Sequence, residues 1–382
     1  MKIVTTLGRA VAAVTLSMSV ATGAMAGEVN IGFTGPLSGG AALYGENTLS
    51  GLRMAADEIN AAGGFDLNGE KTTINMVSLD DRYSPAQAAT NAKRLKQESN
   101  VPAVFTPHSG GTFALQDFNE KANFLVMAYT SVPAVTEKGN TLTLRIPPTF
   151  DGYVRMFTEY AQEHHGKTLG MAGATHEYAK IWASMIEKEW VAKGGTVVAN
   201  NPMDYNKSAD FFTGVSRVIA AKPDVMFVGG ASDPTGLVVR QARQMGFEGS
   251  FVIMDQAKID EVAKAAGSLD MLEGAVGVVP LSVYETEAAK GFIERYKAEY
   301  DKMPGSEAAY NYLALHALVE AMDATDSTEP KVLRAAIGDA LRSMDSSKNP
   351  YAVTDVTKGG GFVTNATMAT VKDGKIVRIS KD

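Results

Sequence analysis

Short apolar runs alternate along the chain with segments whose apolar residues recur every three or four positions, which predicts strands alternating with amphipathic helices. The first run, Val29 to Phe33, leads through a glycine-rich loop into a helix carrying Leu49, Leu52, Ala56 and Ile59 on one face, and Gly63-Gly64 stops it. Further strands are predicted near Thr73 to Leu79, Ala103 to Thr106 and Phe124 to Ala128, with a helix opened by Ser84 as N-cap and Pro85 in its first turn. A second series follows a helix over Asp151 to His164, with strands near Thr168 to Ala172, Thr196 to Ala199, Val225 to Val228 and Phe251 to Met254. Repeated strand–helix–strand units of this kind predict two doubly wound, Rossmann-like α/β lobes. The last third departs from the alternation. One helix carries Tyr312, Leu315, Val319 and Met322, the next carries Leu333, Ile337, Ala340 and Met344, and an Asp373-Gly374 turn then joins two strands as a hairpin.

The N-terminus carries a different signal. Lys2 and Arg9 precede an apolar stretch from Ala10 to Val20 and the A-x-A pattern Ala24-Met25-Ala26, the layout of a secretory signal peptide over residues 1–26. No later stretch approaches 18 uninterrupted apolar residues, so no membrane span is expected. The chain has no cysteine, hence no disulfide and no thiol for a lipid anchor, and a soluble monomer free in the periplasm is the expectation. The 356 residues from Gly27 onward are enough for two lobes, each with its own core. Removing Lys2 and Arg9 takes the formal charge from −7 to −9 with no basic run, which argues against nucleic acid or anionic membrane and for a small-molecule ligand.

Candidate chemistry was sought in the loops. The stretch Gly35-Pro-Leu-Ser-Gly39-Gly40 fits neither nucleotide-binding glycine signature and has no lysine for a phosphate. His176-Glu177 lacks the second histidine of a zinc-protease motif, no G-x-S-x-G occurs, and the five histidines have no metal-ligand spacing. No catalytic residue, metal or cofactor is therefore called for. His164-His165 reads as a helix-end pair, His316 as structural, and Asp80-Asp81 as carboxylates that satisfy loop amides. Small polar and aromatic residues remain in loops after predicted strands: Tyr44, Ser109, Gly110, Gly111, Thr130, Ser131, Tyr178 and Asp255. Ligands of open α/β sheets bind beyond the carboxyl ends of the strands, and two lobes bring two such rims face to face. In Pro107-His-Ser-Gly-Gly-Thr112 a hydroxyl and unhindered amides precede a helix and suit a carboxylate; the local alternative is an N-cap. Asp255 has a similar alternative as a cap on a helix beginning near Lys258.

The motifs NIGFTGPLSGGAALYG, AADEINAAGG, DDRYSPAQAA and GLVVRQARQMGF together resemble the leucine/isoleucine/valine-binding group of type I periplasmic substrate-binding proteins, over essentially the whole chain from Gly27. Proteins of that group deliver ligands to the membrane permease of an ATP-binding-cassette importer. The resemblance implies two lobes joined by three crossing segments that close about a hinge: residues 27–146 with 280–360, and 147–279 with 361–382. It implies that Tyr44 sits at the cleft rim, that Ser109 and Ser131 with Thr130 hold an α-carboxylate, that Tyr178 is an aromatic wall, and that Asp255 pairs with an α-ammonium, a clamp for a zwitterion. Tyr83 and His108 occupy positions where relatives have a disulfide pair. Ala231 stands where the leucine type often carries a ligand-facing tyrosine, a smaller wall that admits a bulkier side chain, an amide or an aromatic acid. The other function class is an exported enzyme on the same scaffold, since fold alone never fixes function. Cleavage after Ala26 predicts that N-terminal sequencing of the exported protein reads Gly27 onward; the intact N-terminus in a membrane fraction overturns the signal-peptide reading.

Overall fold

The computed structural model describes residues 27–379 together with Met1. The signal peptide read over residues 1–26 lies outside the described residues apart from Met1. The first sheet contains β1 (Gly27–Gly35), β2 (Phe65–Leu67), β3 (Glu70–Asp80), β4 (Ala103–Thr106), β5 (Leu125–Ala128) and β6 (Thr143–Arg145), in the order β2-β3-β1-β4-β5-β6. All its neighbours are parallel except β2, which runs against β3. The second sheet contains β7 (Thr168–Gly173), β8 (Thr196–Asn200), β9 (Val225–Gly229), β10 (Ser250–Ile253), β11 (Val276–Gly277), β12 (Met368–Lys372) and β13 (Lys375–Ile379), in the order β13-β12-β11-β10-β9-β7-β8. Its first five strands are parallel, and the hairpin β12–β13 closes the edge in antiparallel pairing. Asp373 and Gly374 both take positive φ, 52° and 68°, as a two-residue turn matched to strand twist requires.

The architecture is the two-lobed α/β fold that the alternation predicts. Strands β4, β5, β9 and β10 are buried at every position, and their apolar runs are those of parallel strands covered on both faces. The helix Ala42–Ala61 lies along the helix Ser306–Thr325. At their crossing a Cβ on Gly51 would strike the Ala308 carbonyl, so only glycine permits the approach. Ser84 caps the helix Pro85–Ser99, accepting from the Gln87 amide at 3.4 Å. The pattern missed β2, β6 and β11, which at two or three residues carry no readable period.

The chain passes between the sheets three times, at 146–149, 278–286 and 363–367. The third passage follows Phe362, because residues 360–362 still run beside β6: the Arg145 amide donates to the Gly360 carbonyl, and Phe362 N–H to that of Arg145, each at 2.8 Å.

Glu58 ties the first lobe's helices together. Its carboxylate accepts from Arg295 Nε at 2.9 Å, Lys348 Nζ at 2.6 Å and the Tyr312 hydroxyl at 2.5 Å, with His316 at 3.7 Å. Burial alone would raise its pKa, yet the nearby His316 ring and the hydrogen bonds from Lys348, Tyr312 and Arg295 together outweigh burial and hold it well below the usual carboxylate range. The resulting stability is present above the ordinary glutamate pKa and is lost as pH falls below it. Discounted for its partial exposure, Glu58→Gln should lower the unfolding free energy by about 1–2 kcal/mol at pH 7 and by less at pH 3, measured by urea denaturation.

Candidate ligand-binding site

Two adjoining narrow chambers lie between the lobes at the carboxyl ends of the strands. Tyr129, Ser131, Pro147, Asp255 and Lys258 bound both. Tyr44, Ser109, Thr130 and Tyr178 complete much of the first, so the fold gathers around it residues that follow β1, β4, β5, β7 and β10. Gly110, Gly111 and Ala231 line neither chamber. Ala231 is buried in the first lobe's apolar cluster, just before the helix Ser232–Gln244.

On the first-lobe side, the helix Ser109–Gln116 is capped by His108 and not by Ser109: His108 Nδ1 accepts the Gly111 amide at 3.0 Å. That amide is therefore already engaged. Because Nδ1 accepts, Nε2 carries the proton, and it lies 2.9 Å from Asp81 Oδ2. Asp81 also accepts from the Tyr83 amide at 2.9 Å and the Thr34 hydroxyl at 3.1 Å. Asp80 accepts from the Leu37 and Arg82 amides at 2.9 Å and the Ser38 hydroxyl at 2.6 Å, which fixes the glycine-rich loop after β1. Both carboxylates thus brace loops. With the cap supplied by His108, Ser109 Oγ is buried with no hydrogen-bond partner among the described residues, as is Thr130 Oγ1. A buried polar atom left unpaired costs about 1–3 kcal/mol, so two such hydroxyls beside one chamber mark a place where a ligand supplies the partners. Tyr83 and His108 form a stacked ring pair with centroids 4.7 Å apart.

On the second-lobe side, Tyr178 and Trp182 stand four residues apart on the helix Glu177–Ala192 and reach the same oxygen. Trp182 Nε1 donates to Asp255 Oδ1 at 3.0 Å, and the Tyr178 hydroxyl donates to it as well. Burial pushes the Asp255 carboxyl above its ordinary value, against the pull of Tyr178, Ser131, Lys258 and Trp182. Asp255 is not a cap: the helix Ile259–Ala266 begins without a side-chain cap.

Sequence reasoning missed Lys258. Its side chain is 3% exposed, and its Nζ donates to the carbonyls of Asp255 at 3.1 Å and Gln256 at 2.9 Å, with Glu307 Oε2 at 3.4 Å. Its position three residues after Asp255 was the only available signal. A polar seam continues from it between the lobes: Asn47 Nδ2 donates to both Glu261 and Glu307 at 3.0 Å, and Ser232 Oγ to Glu261 at 2.6 Å. On the opposite rim the Tyr83 ring meets His176 at 4.9 Å, and Gln256 Nε2 donates to the Tyr83 hydroxyl at 2.7 Å.

A cleft of this kind, with strand-end loops of two lobes converging on unpaired polar groups, defines a solute-binding protein of two Rossmann-like lobes. The chain belongs to the periplasmic binding protein family, which it matches over residues 28–375. It is 28% identical over 333 residues to an amino acid binding protein of Pseudomonas aeruginosa, covering 83% of this chain and 84% of the relative. It is 27% identical over 388 residues to Leu/Ile/Val-binding protein homolog 8 of Brucella abortus, covering 96% and 93%. The fold matches the branched-chain amino acid transporter substrate binding protein LivJ of Streptococcus pneumoniae in complex with isoleucine, with a TM-score of 0.78 at 23% identity over 92% of this chain and 99% of the other. It also matches a solute binding protein of R. palustris in complex with benzoate, with a TM-score of 0.79 at 19% identity over 92% and 96%.

The seam and the opposite rim respond to pH in opposite senses. Burial, reinforced by Glu307 and opposed by Lys258, pushes Glu261 up to about 8, while burial, His108 and Lys180 push His176 down to about 3. Relative to ordinary values of about 4.3 and 6.5, the Glu261 contribution is present at low pH and lost as pH rises through 8. The His176 contribution is present above its ordinary value and lost as pH falls through 3. Between about 4.3 and 6.5 the two slopes offset, and from there to pH 8 only the Glu261 term remains. The melting temperature should therefore decline over that upper interval, and Glu261→Gln should flatten the decline in a thermal-shift pH series. An unchanged slope overturns the assignment.

Proposed function

We propose that the protein is the periplasmic solute-binding component of an ATP-binding-cassette importer and captures a zwitterionic amino acid in the first chamber. The observation that carries this reading is the pairing of opposites across one small space. The buried Asp255 carboxylate faces it from one lobe, and the unpaired hydroxyls of Ser109 and Thr130 face it from the other. An ammonium meets the first, and a carboxylate meets the second at the start of the helix Ser109–Gln116. The relatives named for amino acid binding support the same reading. In it the lobes divide near residues 147 and 280 and again just after Phe362, the three passages act as the hinge, and the monomer hands its ligand to a membrane permease.

The enzyme reading finds a decoy in the cleft. Asp81, His108 and Ser109 have the residue types of a hydrolytic triad, but His108 already spends Nδ1 on the Gly111 amide and Nε2 on Asp81. No ring nitrogen is left to take a proton from Ser109. The second ligand reading, an aromatic acid or an amide, is favoured by Lys258, whose buried ammonium partly balances Asp255 before any ligand arrives.

A thermal-shift panel of amino acids, amides and aromatic acids identifies the ligand, since binding to the folded state raises the melting temperature. Calorimetry on Asp255→Asn then tests the clamp. Loss of an ammonium's partner in a dry cleft should weaken binding by roughly 2–4 kcal/mol, about 30-fold to 1000-fold. Ser109→Ala should weaken it by about 1–2 kcal/mol, because the Thr130 hydroxyl remains. Unaltered affinity in Asp255→Asn transfers the assignment to the aromatic acid or amide.

A further inference from the structure

The second chamber differs chemically from the first. Its walls are built largely of rings in mutual contact: Tyr129 lies 5.9 Å from Tyr310, Tyr310 stacks on Tyr351 at 3.8 Å and 9°, and Tyr351 meets Tyr284 edge-on at 5.0 Å. Pro147 and Pro148 close another side. Ser131, Asp255, Lys258, Ser306 and Thr367 supply polar groups between the rings, and ring walls gain most from another ring, because ring pairs contribute attraction beyond the area they bury.

Aromatic cages also suit cations, but this one is already occupied by positive charge at its margin. Lys258 bounds both chambers, and the buried Arg145 guanidinium donates to the carbonyl of Pro147. Of the carboxylates near it, Asp255 is the one the first-chamber reading assigns to the ligand's own ammonium, and Glu307 already faces the Lys258 ammonium at 3.4 Å. A second cation would meet repulsion without a free anion.

The far end offers one polar contact. The Tyr351 hydroxyl is buried and, among the described residues, makes no well-formed hydrogen bond, although the Ser306 side chain lies beside it. The neighbouring phenols differ: Tyr284 pairs with Thr367 at 3.3 Å and Tyr310 with Thr364 at 3.5 Å.

We propose that the second chamber selects an amino acid with an uncharged aromatic side chain bearing one hydrogen-bonding group at its far end, a hydroxyphenyl group being the chemistry that fits. This rests on the zwitterion reading of the first chamber, and the test separates the two. Calorimetry on the full chain from Gly27 uses free tyrosine, phenylalanine, leucine, lysine and 3-(4-hydroxyphenyl)propanoate as probes. Tyrosine and phenylalanine should bind at least about tenfold more tightly than leucine, and lysine should give no measurable heat. Tyr351→Phe should reduce the preference for tyrosine over phenylalanine by about fivefold, the worth of a neutral hydrogen bond. Leucine binding as tightly as phenylalanine overturns the aromatic chamber and leaves the zwitterion clamp standing. The propanoate binding as tightly as tyrosine overturns the clamp and leaves the chamber standing. An unchanged tyrosine preference in Tyr351→Phe overturns the assignment of the far-end contact, and silence from every probe overturns both readings.

Discussion

A carboxylate withdrawn from water must be given hydrogen-bond donors or give up its charge, and the cleft is organised around meeting that condition for Asp255. The residue stands just past the end of β10, 8% exposed. One helix supplies Tyr178 and Trp182 to a single carboxylate oxygen, which requires that helix to begin at the carboxyl end of β7 and to present residues four apart to the same point. The Phe227 ring stacks on Trp182 at 5.6 Å and the Phe150 ring lies 6.0 Å from it, so the donor is held by the second lobe's core. The geometry of one charged group therefore constrains a helix start, an aromatic core and the strand order that brings them together.

The facing rim solves the opposite problem, since there the donors outnumber their partners. The Asp81–His108–Gly111 chain takes over the capping that a serine at the start of a helix ordinarily performs. The consequence is that Ser109 is released from local bonding and left buried with its valences open. Tyr83 stacks on His108 from the outside and holds the ring in the plane this chain needs. In this cysteine-free chain an aromatic stack and a buried hydrogen-bond chain fix these two loops. The same stack places Tyr83 where His176 and Gln256 of the other lobe can reach it.

Much of this was legible from residue pattern, for identifiable reasons. β1, β3, β5 and β7 and the helices from Ala42 and Phe150 are long or regular enough for their period to register, and their ends fall within a few residues of the predicted ones. Strands of two or three residues such as β6 and β11 have no period to read. In the cleft, Tyr44, Ser109, Thr130, Ser131, Tyr178 and Asp255 were legible because each follows a strand closely, and the rule that ligands sit beyond strand ends needs only local sequence. Tyr310 and Tyr351 were not. Tyr310 lies on an apolar helix whose stripe reads as core, and Tyr351 lies in an irregular segment over 200 residues from Tyr129. Only the second passage, which returns the chain to the first lobe, brings those rings together. Lys258 was hidden for another reason: a lysine near a helix start reads as solvated surface, and its burial depends on Glu307 from the other lobe.

If the three passages act as the proposed hinge, the two chambers divide their dependence on it. The first is walled by loops at strand ends, each held by its own lobe, so its polar groups keep their arrangement within a lobe however the lobes swing. The second takes part of its wall from the passages: Pro147, which it shares with the first chamber, and Pro148 from the first passage, Val278, Val279 and Tyr284 from the second, and Thr367 from the third. Under the hinge proposal its shape would therefore follow the interlobe angle. A guest reaching from one chamber into the other would have its charged groups read by fixed donors and acceptors, while its distal group would be read by the angle at which the passages settle. Proline at consecutive positions narrows the range of that angle, because each ring fixes one backbone dihedral and restricts the residue before it. A side chain that fits the settled angle gains the ring contacts of Tyr310 and Tyr351 together with full engagement of the Lys258–Glu307 seam. One that holds the passages apart weakens both at once, so selectivity for the distal group is amplified by contacts it never touches.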